Sequence, residues 1–184
     1  MLRVTDAQGH TDWTTQPVIL PAVMQQAAVV ASLQPGIGYT YYEGAWPALP
    51  HFDDQTPVDQ GVMASPGVSL HKRASNYGFV FEGYLRVPAS GGYSFSGLSR
   101  DGSRLDIEDT EVAHSPTPWP QVCGSVGNAV QAASGSVGLA SGMHAIRIEV
   151  TQTTGEDAFD LLWQGPGIPL SKLPEGVLFH RTSP

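Results

Sequence analysis

The chain has 184 residues and a formal charge of −8, with 17 Asp and Glu against 9 Lys and Arg. That length holds one domain with a substantial core, and an acidic chain with no Lys/Arg-rich run excludes a nucleic-acid partner, whose phosphates need a basic face. The 21 Gly and 15 Pro, roughly a fifth of all residues, describe a turn-rich all-β protein rather than a helical one.

Residues 1–32 differ in character from the rest of the chain. "VTDAQGHTDWTT" reads as strand, Gly turn, strand, and "VILPAVMQQAAVVASL" is apolar without a clean period. Pro21 and the Gln25–Gln26 pair interrupt that stretch, which is too short to cross a bilayer, so no membrane insertion is expected. We read 1–32 as an N-terminal extension, or the tail of a preceding module, and 33–184 as the main domain. No secretory signal is legible: Arg3 is the lone early positive charge and no apolar run follows it directly.

"PGIGYTYYEGAW" (35–46) is a Gly turn and an aromatic strand, and 47–75 is Pro- and Gly-rich without a sustained period, a long loop. In "NYGFVFEGYLRVP" (76–88), Phe79, Phe81, Leu85 and Val87 alternate with Val80, Glu82, Tyr84 and Arg86, the two-residue period of a half-buried strand. "ASGG" turns the chain into "YSFSGLS" (93–99), which makes a hairpin. "RDG" (100–102) turns it again into "SRLDIED", with Leu105 and Ile107 on one face and Arg104, Asp106 and Glu108 on the other. Residues 113–133 form a second long loop. "MHAIRIEVTQ" (143–152) points Ile146, Ile148 and Val150 inward and Arg147 and Glu149 outward, and "AFDLLWQGPG" puts Phe159, Leu161 and Trp163 on one side. Strands at this spacing, with no helical period, predict an antiparallel β-sandwich with long loops and an N-terminal extension.

The motifs "GIGYTYYEG", "FVFEGYLRVPASGGYSFSGLSRDGSRLDIED", "SGMHAIRIEVTQTTGEDAFDLLWQGPG" and "LPEGVLFH" occur in an order and spacing that resembles the PA-fourteen (protective-antigen-type) domain family, over about residues 33–180. The resemblance implies a β-sandwich module, usually extracellular or surface-attached, whose best-understood role is sugar binding. In adhesins of that family two consecutive Asp residues hold a calcium ion that grips sugar hydroxyls, and an Asn from a nearby loop completes the side-chain ligands. Carried onto this chain, the paired acids fall on Arg100 and Asp101, and the Asn falls near His114 and Ser115. Asp101 is the one acid left for a metal. Calcium takes six to eight oxygens, usually with several carboxylates, so no cofactor is expected and calcium stays the weaker alternative.

Other chemistry finds less support. Gly36-x-Gly38 has Tyr41 where a dinucleotide loop needs its third Gly. "GYSFSG" has Ser96 where a nucleophile elbow ends in Gly. The six His are scattered, and the single Cys123 excludes an intramolecular disulfide or a multi-cysteine zinc site. Asp53–Asp54 is the one true Asp pair and reads as a Pro-flanked solvated turn. No positioned nucleophile–base set is visible, so an enzyme is not expected. Trp119 stands between prolines in "SPTPWPQ", where an indole can stack on a sugar ring or pack the loop onto the sandwich. Trp46 and Trp163 read as packing residues.

The function expected is a non-catalytic carbohydrate-binding module of a larger exported or cell-surface protein, an accessory domain of a glycan-active enzyme or adhesin. Its ligand-binding residues would be Arg100, Asp101, His114 and Trp119, and its partner a glycan or polysaccharide. The rival reading is a structural, self-assembling extracellular subunit that uses residues 1–32 to form a homo-oligomer, because open sheet edges accept partners.

Overall fold

The computed structural model describes residues 2–5, 11–14, 24–99, 101–115, 131–153 and 159–182. They contain fifteen strands and, as helix, two three-residue 3-10 turns at Phe52–Asp54 and Glu175–Val177. β1 (Leu2–Thr5) and β2 (Thr11–Thr14) pair with each other antiparallel. In chain order there come next β3 (Met24–Gln25), β4 (Leu33–Pro35), β5 (Ile37–Glu43), β6 (Asp59–Met63) and β7 (Tyr77–Val87). They lead into β8 (Gly91–Ser99), β9 (Ser103–Ile107), β10 (Thr110–Ser115), β11 (Gln131–Leu139) and β12 (Gly142–Gln152). β13 (Phe159–Gly165), β14 (Ile168–Lys172) and β15 (Leu178–Arg181) complete the set.

Two sheets carry the fold. The larger runs β10-β9-β12-β7, and the far side of the eleven-residue β7 is shared. Tyr77–Glu82 pair with β5, which carries β6 beyond it, while Tyr84 and Leu85 pair with β15, which carries β4. The smaller sheet runs β14-β13-β8-β11-β3, antiparallel apart from the parallel β11–β3 pair. The architecture is the expected all-β sandwich.

Alternation places the core between the sheets. Phe79, Phe81, Leu85 and Val87 of β7 are all at most 1% exposed. They pack with Leu105, Ile107, Ile146, Ile148 and Val150, and with Tyr93, Phe95, Leu161 and Trp163 from the opposite sheet. The Phe79 and Phe81 rings stack at 5.6 Å between centroids, and Tyr93 stacks on Trp163 at 5.9 Å. Truncating a ring so placed, as in Phe81→Ala, costs about 3–5 kcal/mol.

Part of the outer face of the larger sheet is covered as well. The aperiodic region 47–75 contains β6 and the Phe52–Asp54 turn, and Phe52 lies over β7 with Tyr42, Trp46 and Leu49 to bury Val80, which strand alternation alone points to solvent. Gly78 permits this contact, since a Cβ there would stand 2.6 Å from the Phe52 ring.

The sandwich is closed on one side by backbone. β10 has a bulge between Glu111 and Ala113, and a Cβ added to Gly135 of β11 would fall 1.6 Å from the Val112 carbonyl oxygen. Residues after β2 also rest on the sheets: Met24 and Gln25 pair with β11, and Ala28 N–H donates to the Met143 carbonyl at 2.7 Å. At the other margin, β4 pairs with β15, and Thr182 donates from both its amide and its hydroxyl to the Ser32 carbonyl at 3.2 Å.

Candidate functional site

The strand register brings several ends to one rim of the sandwich. Ser99, the last residue of β8, faces Gln131 and Phe159, the first residues of β11 and β13. Ser103, the first of β9, faces Ser115, the last of β10, and Gln152 of β12 faces Tyr77 of β7. Six of the eight buried polar or charged residues among those described sit here: Ser99, Asp101, Ser103, Ser115, Thr151 and Gln152.

Buried polar groups need partners, and Ser99, Asp101, Ser103 and Thr151 find theirs within one turn and the strand end beside it. Ser99 Oγ lies 3.0 Å from the Asp101 carbonyl and 2.9 Å from Ser103 Oγ. Ser99 is the donor in both contacts, and since a hydroxyl has one proton it serves the Asp101 carbonyl and Ser103 Oγ in alternation. The Gly102 carbonyl accepts the Thr151 N–H at 2.9 Å. Asp101 is 4% exposed, and its Oδ2 accepts the Thr153 N–H at 2.8 Å. The turn after β8 is therefore tied to the end of β12 at two points, and the Asp101 carboxylate is held in one orientation.

His114 lies at the same rim, one residue before Ser115, with its side chain on the opposite face from the buried Ala113 and Ser115. It pairs in register with Arg104, and its Nδ1 is 3.3 Å from Glu111 Oε2. No hydrogen bond or ion pair joins His114 to Asp101. Arg100 and Trp119 lie outside the described residues. For a divalent cation the described rim offers the Asp101 carboxylate, and among the described residues no group of three or more His, Cys, Asp or Glu converges.

Beside the rim, the outer face of the larger sheet carries an ion-pair ladder that the sequence shows only as alternating outward charges. Arg104 donates to Asp106 from Nε and to Glu149 from Nη2, both at 3.0 Å. Arg147 donates from Nε to Glu149 at 2.9 Å, from Nη1 to Glu82 at 2.7 Å and from Nη2 to Asp53 at 2.8 Å. Burial on its own would lower the Arg147 pKa, but the hydrogen bonds to Asp53 and Glu149 and the charge of Glu82 outweigh it and hold the pKa above its ordinary value. Arg104 thus pairs with its strand neighbour Asp106 and with Glu149 on β12. Glu149, expected outward, faces outward but is 1% exposed under these two guanidinium groups. The signal for this ladder is the Arg–Asp and Arg–Glu alternation on β9 and β12, which becomes readable once Arg147 is known to face Asp106 and Glu149 to face Arg104.

Trp163, Trp46, His144 and the Asp53–Asp54 pair have structural places. Trp163 is core, and Trp46 packs edge-on to Phe52 while its Nε1–H donates to Gln55. His144 is fully buried between the Ala140 carbonyl, 2.8 Å from Nε2, and Glu108 Oε1, 3.2 Å from Nδ1. Asp53 and Asp54 form an exposed 3-10 turn, with Asp53 engaged by Arg147. No described helix is long and apolar enough to cross a membrane.

Solved structures share this architecture. An anti-sigma factor domain-containing protein from Clostridium clariflavum matches with a TM-score of 0.60 at 19% identity, over 97% of this chain and 59% of that one. This chain therefore spans less than two thirds of that protein. A PA14 sugar-binding domain from an RTX adhesin matches at 0.61 with 12% identity, over 79% of this chain and 98% of that one. The epithelial adhesin 9 A domain from Candida glabrata, in complex with Galb1-4GlcNAc, matches at 0.63 with 14% identity, over 88% and 96%. No curated protein matches this chain. At these identities the structures establish the fold, and the sequence model of the PA14 domain matches residues 33–176 directly. The chain belongs to the PA14 domain family, the protective-antigen type that its motifs resemble.

Proposed function

We propose that this chain is a non-catalytic carbohydrate-binding module of a larger exported or cell-surface protein, with residues 33–184 as the binding domain and 1–32 as an extension. The observation that carries this reading is the polar rim. Buried hydroxyls and backbone bonds hold the Asp101 carboxylate in place, and such preorganisation lowers the cost of binding. The disaccharide in the Candida glabrata adhesin structure and the sugar-binding name of the RTX adhesin domain support the ligand class. Asp101 and Arg100 would bond sugar hydroxyls, His114 would border the site, and Trp119 would supply a stacking face. With one acid where the family resemblance implies two, Arg100 would take the place of a cation in meeting the sugar oxygens.

A glycan array probed with the full chain, with and without calcium, tests this. Binding without calcium that is lost in Arg100→Ala, Asp101→Asn and Trp119→Ala supports the reading. Binding that survives all three changes overturns the site, and binding that requires calcium overturns the metal-free part.

One observation favours a second reading. β3 pairs with β11 through two residues at a sheet edge, and Val29 beyond it is fully exposed, so this segment is held by few contacts. Exchange of residues 1–32 between copies would make a self-assembling subunit. Light scattering of the full chain and of residues 33–184 distinguishes the two, since a monomer in both forms rules out assembly.

A further inference from the structure

A depression of about 350 Å3 opens on the outer face of the larger sheet, and the rim residues Ser99, Asp101 and Ser103 take no part in its lining. That volume is at the small end of the range for small-molecule sites, about 300–1,000 Å3. Its shape comes from the strand register. Ala145 of β12 faces Tyr84 of β7 and Ile146 faces Gly83, so the floor carries little side-chain bulk. Asp106 and Asp109 stand on one side, Tyr84 and Arg181 on the other, and the Glu82–Arg147 ion pair closes one end. The Phe52 segment, which covers Val80, does not contribute to its lining.

The charges in this lining are mostly spoken for. Glu82 is bonded to Arg147, Arg147 is fixed by three carboxylates, and Asp106 is bonded to Arg104. Arg181 and Asp109 make no ion pair with any described residue, and the Arg181 guanidinium sits 5.4 Å from the centre of the Tyr84 ring. Among the described residues the depression therefore offers a guanidinium and a carboxylate that no ion pair engages, of opposite charge, beside an aromatic ring and a floor with little side-chain bulk. An anion would meet the carboxylates of Glu82, Asp106 and Asp109. A cation would meet Arg147 and Arg181. A neutral ligand bearing hydroxyls can donate to the carboxylates, accept from Arg181 and set an apolar C–H edge against the part of the Tyr84 ring that the guanidinium leaves open.

We infer that this depression is a second binding site, for a neutral sugar unit, separate from the loop rim. It stands on the geometry of Tyr84, Ala145, Arg181 and Asp109 and does not depend on the rim residues. Two sites on one module would let it hold a polysaccharide chain at two points, which raises avidity without new contacts at either.

The test is amide chemical-shift mapping of the full chain titrated with lactose, cellobiose and maltose, repeated in Ala145→Leu, Tyr84→Ala and Asp101→Asn. Ala145 faces outward, so Leu there fills the floor without entering the core. The expected result is saturable shifts at Gly83, Ala145 and Ile146 with at least one sugar. They disappear in Ala145→Leu, weaken about tenfold in Tyr84→Ala, and persist in Asp101→Asn. Shifts confined to the rim overturn this site and leave the rim reading standing. Groove shifts with glycine or spermidine but with none of the sugars also overturn it, as does sugar binding at the groove that Ala145→Leu leaves intact.

Discussion

The Asp101 carboxylate accepts the Thr153 N–H at 2.8 Å across a sequence separation of 52 residues. This bond gives the one acid of the candidate site a structural duty as well as a proposed binding one. Asp101→Ala leaves the Thr153 donor without its partner, and we expect a loss of about 1–2 kcal/mol in thermal or urea unfolding. Asp101→Asn keeps an acceptor in place and should unfold close to the parent. If the Asn and Ala variants unfold alike, the Thr153 bond does not set the turn.

Glu149 is buried between Arg104 and Arg147, whose side chains are 28% and 24% exposed. Removing one partner of a buried pair costs about 3–5 kcal/mol. Because both guanidinium groups reach water, we expect Glu149→Ala to cost less, about 2 kcal/mol, and Glu149→Gln about half of that. Denaturant unfolding measures both, and a neutral Glu149→Ala would show that the ladder is decorative.

Gly135 is fixed by contact rather than by its dihedral angles. A methyl group there collides with the Val112 carbonyl, and backbone on both sides leaves no flexible atom to yield. Gly135→Ala should cost about 3 kcal/mol, at the upper end for overpacking, and loosen the side where β10 meets β11. Faster amide exchange in both strands would report it, whereas parent-like exchange and stability would place the bulge elsewhere in solution.

Burial raises the pKa of Tyr41, Tyr42 and Tyr93 above the ordinary 10.0, because the phenolate is poorly solvated in the fold. The unfolded chain then releases these protons first. Stability is unaffected below the ordinary tyrosine value and falls as pH rises above it toward the folded values. A melting series into the alkaline range, read beside tyrosinate absorbance, should show ionisation of these rings coinciding with unfolding. Ionisation of all six tyrosines in a still-folded chain would contradict it.

The sequence discloses most where its signals are local. Alternation in β7 and β12 marks the core correctly, since a strand buried on one face repeats every two residues. It misplaces Val80, because the cover comes from Phe52, a single ring in a stretch with no period. The end of β10 and the start of β11 read as loop because Ser115 and Ala133 carry too little bulk to mark a strand, although both are buried in the sheet. β14 escapes a sequence reading for a similar reason, with Leu170 turned to solvent. At the rim, Asp101 is identifiable from its motif, but Thr153, which orients it, is distant in sequence. The outer depression has no signature at all, because it is made by register among β7, β9 and β12.

The antiparallel pairing of β4 with β15, closed by the two bonds from Thr182 to Ser32, makes the domain's two ends neighbours. Tension applied at Ser32 and Thr182 would load this pair as a zipper, opening bonds one after another rather than shearing them together. The margin should therefore yield first and at low force, while β7 and β12, joined along their length, keep the rim and the outer face intact.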